Sequence, residues 1–388
     1  MSIAIIGGGI AGAAAAHELA RLGERATVFH DHAGASALYC GALDFELWDR
    51  AAEVTVVEPE LVQFAAELGL WELGPSASRI ATLEGNVRPA RGRDRALLEL
   101  EQCAGQRVAV VDLERDDWDA PLLAQSFGES AWAARTGTQF EAVRVRALQS
   151  TFERRISAYD FAAGHDAPER FGFLLEAIRR SNVTPDAWLF GPWLGVERAV
   201  AAELAASLGV PVGETTSASG GAAGARFEAA RNRLLSRKAD VERTRMTRLE
   251  PSESGFRLET ASGQASEHAA VVLATGGVAA GGVTLERSFE RRGGAGFRLS
   301  FTAPVAIELE GEIVEGVSSL SSIDFAERGL GALLNVGIAV AENGAARGVP
   351  GVFVAGDAIA GRPRTALFAA RSGLHAARRA WEHARRLA

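Results

Sequence analysis

From Ile3 to Ile6 every position is apolar and mostly β-branched, the pattern of a short strand buried on both faces. After Gly12 the residues Ala13, Ala16, Leu19 and Ala20 recur at helical spacing until Gly23 stops them, and Ala26 to Phe29 reads as a second strand. The first thirty residues thus predict a β-α-β unit, the connection a parallel sheet requires. An irregular segment through Asp44 is followed by a predicted helix from Pro59 to Gly69, then by loop with short strands from Pro75 to Arg93.

From Arg107 the pattern becomes an orderly alternation. Strands are expected at Val108 to Leu113, Ala142 to Arg146, Trp188 to Phe190 and Val210 to Val212, with helices near Leu122 to Ala134, Phe171 to Arg179 and Glu197 to Leu208. Ser217 to Gly224 reads as a small-residue link and Arg226 to Lys238 as an amphipathic helix. Val241 to Thr244, Thr247 to Glu250 and Phe256 to Glu259 predict an antiparallel meander. Buried strands follow at Val271 to Ala274 and Val352 to Ala355, with a long helix from Thr365 to Leu387. The expected fold class is α/β: a discontinuous Rossmann-like dinucleotide-binding domain, residues 1–106 and 217–388, with an inserted smaller α/β domain, 107–216, for substrate or subunit contact. No internal repeat interrupts this reading.

A chain of 388 residues, 47% hydrophobic, is long enough for two cores. The net charge of −8, with arginines dispersed rather than clustered, excludes a nucleic-acid-binding face. Cys40 and Cys103 stand outside any Cys-x-x-Cys or Cys/His ligand spacing, so neither a disulfide framework nor a metal site is expected, and the cytoplasm is the expected compartment. Met1 to Ala20 lacks a basic leader and contains the glycine turn, so it reads as strand, turn and helix rather than as a secretory signal. No run reaches the roughly 18 apolar residues of a spanning helix, and membrane contact is expected only through a partner.

Gly7-Gly8-Gly9-Ile10-Ala11-Gly12 fits G-x-G-x-x-G between a strand and a helix. Gly7 permits the tight turn, Gly9 lets a phosphate approach the backbone, and Gly12 lets helix and strand pack closely. The helix N-terminus supplies N–H donors and a positive dipole end to the anion. The same fingerprint asks for an acid at the end of the second strand, where His30 and then Asp31 stand. Either Asp31 reaches an adenosine ribose from one residue further on, or no adenosine binds and the flavin is FMN. From the residues FAD ranks first and FMN is the alternative. No side chain stands out as catalytic acid or base: His17, His165, His268, His375 and His383 fall on helices or loops where packing is their usual role. Arg362, Arg364 and Arg371 are candidates for a substrate phosphate, although arginines in such a helix more often form a solvated face.

Val271 to Gly277, with Ala274-Thr275-Gly276 at its end, resembles the strand-turn element of two-dinucleotide-binding-domain flavoproteins. Val352 to Asp357, followed by a helix with Gly373, resembles their C-terminal flavin element, in which the residue at Asp357 accepts a hydrogen bond from a ribityl hydroxyl after Gly356. The segment Ala35 to Phe45, with Ser36, Ala37, Leu38, Gly41, Leu43 and Asp44, is similar to the signature of the second, flavin-bearing subunit of anaerobic glycerol-3-phosphate dehydrogenase; Cys40 stands where that family has serine. Gly224 to Phe227, Gly281 to Val283 with Glu286-Arg287, and Leu374 to Ala377 extend the resemblance. It implies a flavin-dependent electron-transfer subunit, with FMN as its flavin, that takes part in oxidising glycerol 3-phosphate to dihydroxyacetone phosphate as electrons pass to quinone. It further implies an FAD-binding catalytic subunit and an iron–sulfur subunit as partners, peripheral to the inner membrane. Gly361 to Thr365 and Ala370 to Gly373 depart from the family's glycine-rich stretch. A stand-alone FAD oxidoreductase for another small substrate, and a flavin-free assembly subunit, are the competing readings.

Overall fold

A computed structural model describes residues 2–46, 56–287, 295–314 and 331–387. Its centre is a five-stranded parallel sheet in the order β3-β2-β1-β4-β5. The elements are β1 (Ile3–Ile6), helix α1 (Ile10–Arg21), β2 (Thr27–Phe29), helix α2 (Ala222–Lys238), β3 (Asp240–Glu242), β4 (Ala270–Leu273), β5 (Val352–Val354) and helix α3 (Ala366–Leu387). Alternation within the strands divides them between two cores. Ile3, Ile5, Val28, Val272 and Phe353 face the helices, where Ala13 to Ala16, Phe227, Leu234 and Leu374 pack. Ala4, Ile6, Phe29, Val271, Leu273 and Val354 face the other layer, with Met246, Leu249, Phe256 and Leu258 of an antiparallel meander. This is the 3-2-1-4-5 strand order of a dinucleotide-binding α/β fold, covered on both faces.

Residues 107 to 214 build a second parallel sheet, with strands Val212–Glu214, Ala187–Phe190, Arg107–Asp112 and Gln139–Arg144 in that order. It has its own core, in which Val108, Val110, Phe127, Trp188, Phe190 and Leu204 are buried. None of its strands pairs with the central sheet.

Three expectations need correction. The helix foreseen from Leu122 to Ala134 is two helices, Ala120–Gly128 and Ala131–Thr136, because the Ser130 hydroxyl accepts from Ala133 N–H and donates to the Phe127 carbonyl. The strand near Val241 belongs to the parallel sheet beside β2 rather than to the meander. The meander's third strand is instead Ala265–His268, whose polar, exposed sequence carries no strand signal. Helix α2 also starts earlier than Arg226, at Ala222. Gly224 within it faces the Ala37 carbonyl so closely that a Cβ would overlap that oxygen.

Arg226 ties the two sheets together. Its Nη2 donates to Glu214 Oε2 at 2.7 Å, its Nε to Asp94 Oδ2 at 3.3 Å and its Nη1 to the Gly195 carbonyl at 2.9 Å, with all three side chains buried. Glu214 also accepts the Leu194 N–H, and Asp94 accepts that of Ala96. Against the pull of burial, Asp94 and Glu214 hold Arg226 firmly in its charged form. Burial pushes the Glu214 carboxyl above its ordinary range, against the pull of Arg226.

Removing one member of a buried ionic network leaves uncompensated charge, so Arg226→Met is expected to cost about 3–5 kcal/mol in urea unfolding. A loss below about 1 kcal/mol, as at an exposed pair, would show that the network carries no such load. His165 provides a pH dependence. Its Nδ1–H donates to the Trp193 carbonyl at 2.9 Å, its Nε2 is buried without a partner, and burial pushes its pKa down to about 4. The unfolded chain therefore takes up the proton first as pH falls. Its stabilising share is intact above pH about 6.5, erodes down to about 4 and levels below. His165→Phe should remove roughly 2 kcal/mol of the stability difference between pH 7 and pH 5 read from urea midpoints.

Candidate functional site

The turn after β1 is built without side chains. Gly7 has φ +109°, donates to the Phe29 carbonyl at 2.8 Å, and lies so close to the Ala274 carbonyl that a Cβ would overlap it. A Cβ on Gly12 would likewise overlap the Gly7 carbonyl oxygen. Gly9 differs: a Cβ there meets only Ser36 Oγ, at 2.9 Å, and otherwise points into open space. Helix α1 has no acidic residue in its first turn, and its Ile10 N–H donates to the Ser36 hydroxyl at 3.0 Å.

This turn opens on a cleft of about 770 Å³ at the carboxyl ends of the central strands, where the strand order reverses between β1 and β4. The cleft brings together Gly7, Gly8, Gly9, Ile10 and Ala11 with His30, Asp31 and Ser36. Ala274, Thr275 and Gly276 after β4, and Gly356 and Asp357 after β5, complete this set. Three expected cofactor-binding residues lie outside the lining: Gly12, Gly41 and Gly373. Gly12 is a packing residue, as is Gly373, whose Cβ would overlap the Ala11 carbonyl of α1. Gly41 has φ +103° and makes a turn, its carbonyl accepting from Tyr39 Oη at 3.0 Å and from Asp94 N–H at 2.7 Å.

At the end of β2 the His30 ring packs against Gly8 and its Nδ1 is buried without a hydrogen-bond partner. Burial, with Arg231 and Arg243 nearby, pushes its pKa below the ordinary histidine range, which disfavours the protonated ring. The Asp31 carboxylate is exposed at the rim of the cleft, 3.5 Å from His32 Nε2. Thr275 Oγ1 is also buried without a partner. Among the described residues the Asp357 carboxyl makes no hydrogen bond or ion pair; burial pushes its pKa up, opposed by Arg364. Gly356 has φ +67° and its N–H donates to Ser372 Oγ at 2.8 Å, which fixes the turn that presents Asp357.

Residues from outside the dinucleotide turn form the other wall. Asp44 pairs with Arg88 through two contacts at 3.1 and 2.9 Å, and both line the cleft with Cys40, Thr82, Thr216 and Ser217. Asp44 belongs to the signature segment, but Arg88 and the threonines lie in elements whose pairing carries no local signal. Of the three arginines considered for a phosphate, Arg364 lines the cleft. Arg371 instead lies over the Phe45 ring, 3.6 Å from Glu58, and Arg362 is exposed. Among the described residues no His, Cys, Asp and Glu side chains gather as metal ligands, and no helix is long and apolar enough to cross a membrane.

No family model and no curated protein matches the chain. Solved structures similar to it include glycine oxidase from Geobacillus kaustophilus, 15% identical over 98% of this chain and 94% of that one, with a TM-score of 0.35. Iminodiacetate oxidase from Chelativorans sp. BNC1 is 12% identical over 97% and 92%, TM-score 0.30. Thioredoxin reductase from Lactococcus lactis is 12% identical over 99% of each chain, TM-score 0.23. At such scores, what those proteins bind and act on is theirs alone; the fold here rests on its own strand order.

The glycines make opposite predictions. Gly9→Val should fold with an unfolding midpoint near that of the parent and lose any dinucleotide that the parent binds, because the branched side chain fills the space a phosphate would occupy. Gly12→Val, forced against main chain, should lose about 1–3 kcal/mol or more of stability. Stoichiometric cofactor in folded Gly9→Val would rule out the assigned site.

Proposed function

We propose that the cleft binds FAD and that the protein is a flavin-dependent oxidoreductase. The observation that carries this reading is a pairing across one cleft: open space at Gly9, at the N-terminus of α1, and an Asp357 carboxyl after β5 that has no partner among the described residues. A group with both an anionic linker and hydroxyls suits that donor and acceptor set. Gly8, Gly9 and Ala11 would approach the pyrophosphate, and Asp357 and the orphaned Thr275 hydroxyl would take the hydroxyl-bearing part. Bound there, FAD supplies two-electron redox chemistry, while the protein supplies position and electrostatics.

FAD ranks above FMN because the cleft continues past the glycine turn to His30, Asp31, Thr244 and Met246 at the ends of β2 and β3. An FMN would leave that arm empty. The neutral His30 ring would present a face and a nitrogen to an adenosine rather than the usual carboxylate. The Asp44–Arg88 pair and the hydroxyls of Thr82 and Thr216 lie on the wall beyond, where a small substrate would meet the flavin.

The finer reading is a protein similar to the second, flavin-bearing subunit of anaerobic glycerol-3-phosphate dehydrogenase, working with an FAD-binding catalytic subunit and an iron–sulfur subunit at the inner membrane. The support for it is that the signature segment shapes the cleft: Ser36 caps α1, Ala37 packs on Gly224, and Asp44 holds Arg88. A flavin-free assembly subunit is favoured by one observation, the Ser36 hydroxyl that already takes the Ile10 N–H. Denaturing the purified protein and identifying the released chromophore by chromatography and mass separates these readings. FAD in equal amount to the chain is expected; FMN alone overturns the cofactor ranking, and a colourless protein that stays empty after incubation with FAD overturns the proposal.

A further inference from the structure

Arg364 is held in the cleft more tightly than a solvated arginine would be. Its Nε donates to the Leu334 carbonyl at 2.7 Å, and its Nη2 to the carbonyls of Val336 at 2.6 Å and Leu333 at 3.4 Å. Nη1 has no acceptor among the described residues and lies against Gly277, whose missing side chain makes room for it: a Cβ there would overlap Nη1 and approach the Asp357 carbonyl to 2.8 Å. The guanidinium therefore lies between the turn after β4 and the carbonyls of Leu333 to Val336, near enough to Asp357 to feel its charge but not in contact with its carboxyl.

The other cations of the lining are differently placed. Arg88 is matched by Asp44 in a two-point pair, and Arg245 is exposed and donates to the Ser300 carbonyl at 3.2 Å. Arg364 has only carbonyl dipoles and, among the described residues, no carboxylate within ion-pair distance. A half-buried positive charge with no carboxylate in contact is costly in a low-dielectric cleft, and an anion arriving beside it is correspondingly favoured. Burial pushes the Arg364 guanidinium below its ordinary range, against the pull of Asp357.

We infer that Arg364 is a positioning and electrostatic residue for the flavin, stabilising the negative charge the cofactor acquires on reduction. The inference rests on the proposed flavin site. Charge beside the ring system is one of the levers by which a protein sets a flavin's electronics. A capping role for the short helix Ala332–Asn335 uses the same carbonyl contacts, and binding of an anionic substrate uses the same charge, so the test must separate them.

The parent protein is first assayed for released flavin: an empty parent is the failure of the proposed function, whereas everything below is measured on flavin-loaded protein. Arg364→Met, Arg364→Lys and Gly277→Ala are compared by the flavin midpoint potential against reference dyes and by the dissociation constant for sulfite, whose adduct places negative charge on the ring. Arg364→Met should bind sulfite about tenfold or more weakly and show a lowered potential, with Arg364→Lys within about threefold of the parent. Gly277→Ala keeps the charge but displaces it, and should fall between them; it also supplies the readout if Arg364→Met does not retain flavin. Unchanged sulfite affinity and potential in loaded Arg364→Met, or in Gly277→Ala when only that variant is loaded, overturns the inference. A fall in thermal stability alone identifies a cap, and a raised KM with unmoved potential identifies a substrate anchor; either result overturns it.

Discussion

Helix α1 lies against β1, β4 and α3 at distances that leave no room for side chains, and the placing of the glycine turn against the ends of β4 and β5 follows from that approach. Gly12 meets the Gly7 carbonyl, Gly7 meets that of Ala274, and Gly373 of α3 meets the Ala11 backbone. Between these points Ala13, Ala14, Ala15 and Ala16 are completely buried. Small residues let dispersion contacts run from main chain to main chain, and close packing of this kind tolerates little displacement. The helix N-terminus is thereby aimed at the space between β1 and β4, where the sheet order reverses and a crevice is unavoidable. The anion-attracting dipole and the crevice coincide because the same glycines create both.

The second wall depends on a different kind of contact. Segment Ser36 to Asp44 and the hairpin carrying Thr82 and Arg88 lie where the two sheets meet, a junction held by main-chain bonds from Leu98 N–H to the Glu214 carbonyl and from Ser217 N–H to that of Cys40. Arg226 locks this junction from α2, through Asp94 on one side and Glu214 on the other. A buried ionic network adds little net stability compared with apolar packing, but it accepts very few alternative geometries. That property suits a joint which sets the spacing between the phosphate turn and the Asp44–Arg88 pair. Gly224, pressed against Ala37, adds a steric stop to the same joint.

What was legible in the sequence was local. The glycine turn, the strand-then-Gly-Asp at Val352 to Asp357 and the helical periodicity of α3 each declare themselves within a few residues, because strand burial, turn geometry and helix spacing are short-range constraints. Gly12 and Gly373 illustrate the limit of such reading. Their motif is visible, but whether a glycine faces a ligand or a neighbouring helix is decided by packing between distant parts of the chain. The same applies to Arg88, brought beside Asp44 by a hairpin, and to β3, whose three residues carry no mark of which sheet they join. Ser130 broke a periodic segment because a single hydroxyl competed for the backbone, an effect that apolar patterning does not register.

Charge is distributed along the cleft in a way that bears on what can sit there. At the β2 end the position expected to hold a carboxylate carries an imidazole whose protonation is disfavoured by burial and by the fields of Arg231 and Arg243. A carboxylate there would be drawn toward those arginines, and a protonated ring would be repelled by them; neutrality is the state that leaves the arm free of a fixed charge. In the middle the helix end is positive without an acid to quench it. At the β5 end Asp357 and Arg364 stand near each other without contact among the described residues, each partly withdrawn from solvent. Two unpaired opposite charges separated by more than contact distance hold a field across the gap instead of cancelling it, and a polarisable ring placed in that field would respond to it. The proposed FAD would meet an uncrowded arm at one end, a helix dipole in the centre and this field at the other, whereas a mononucleotide would span only part of that length.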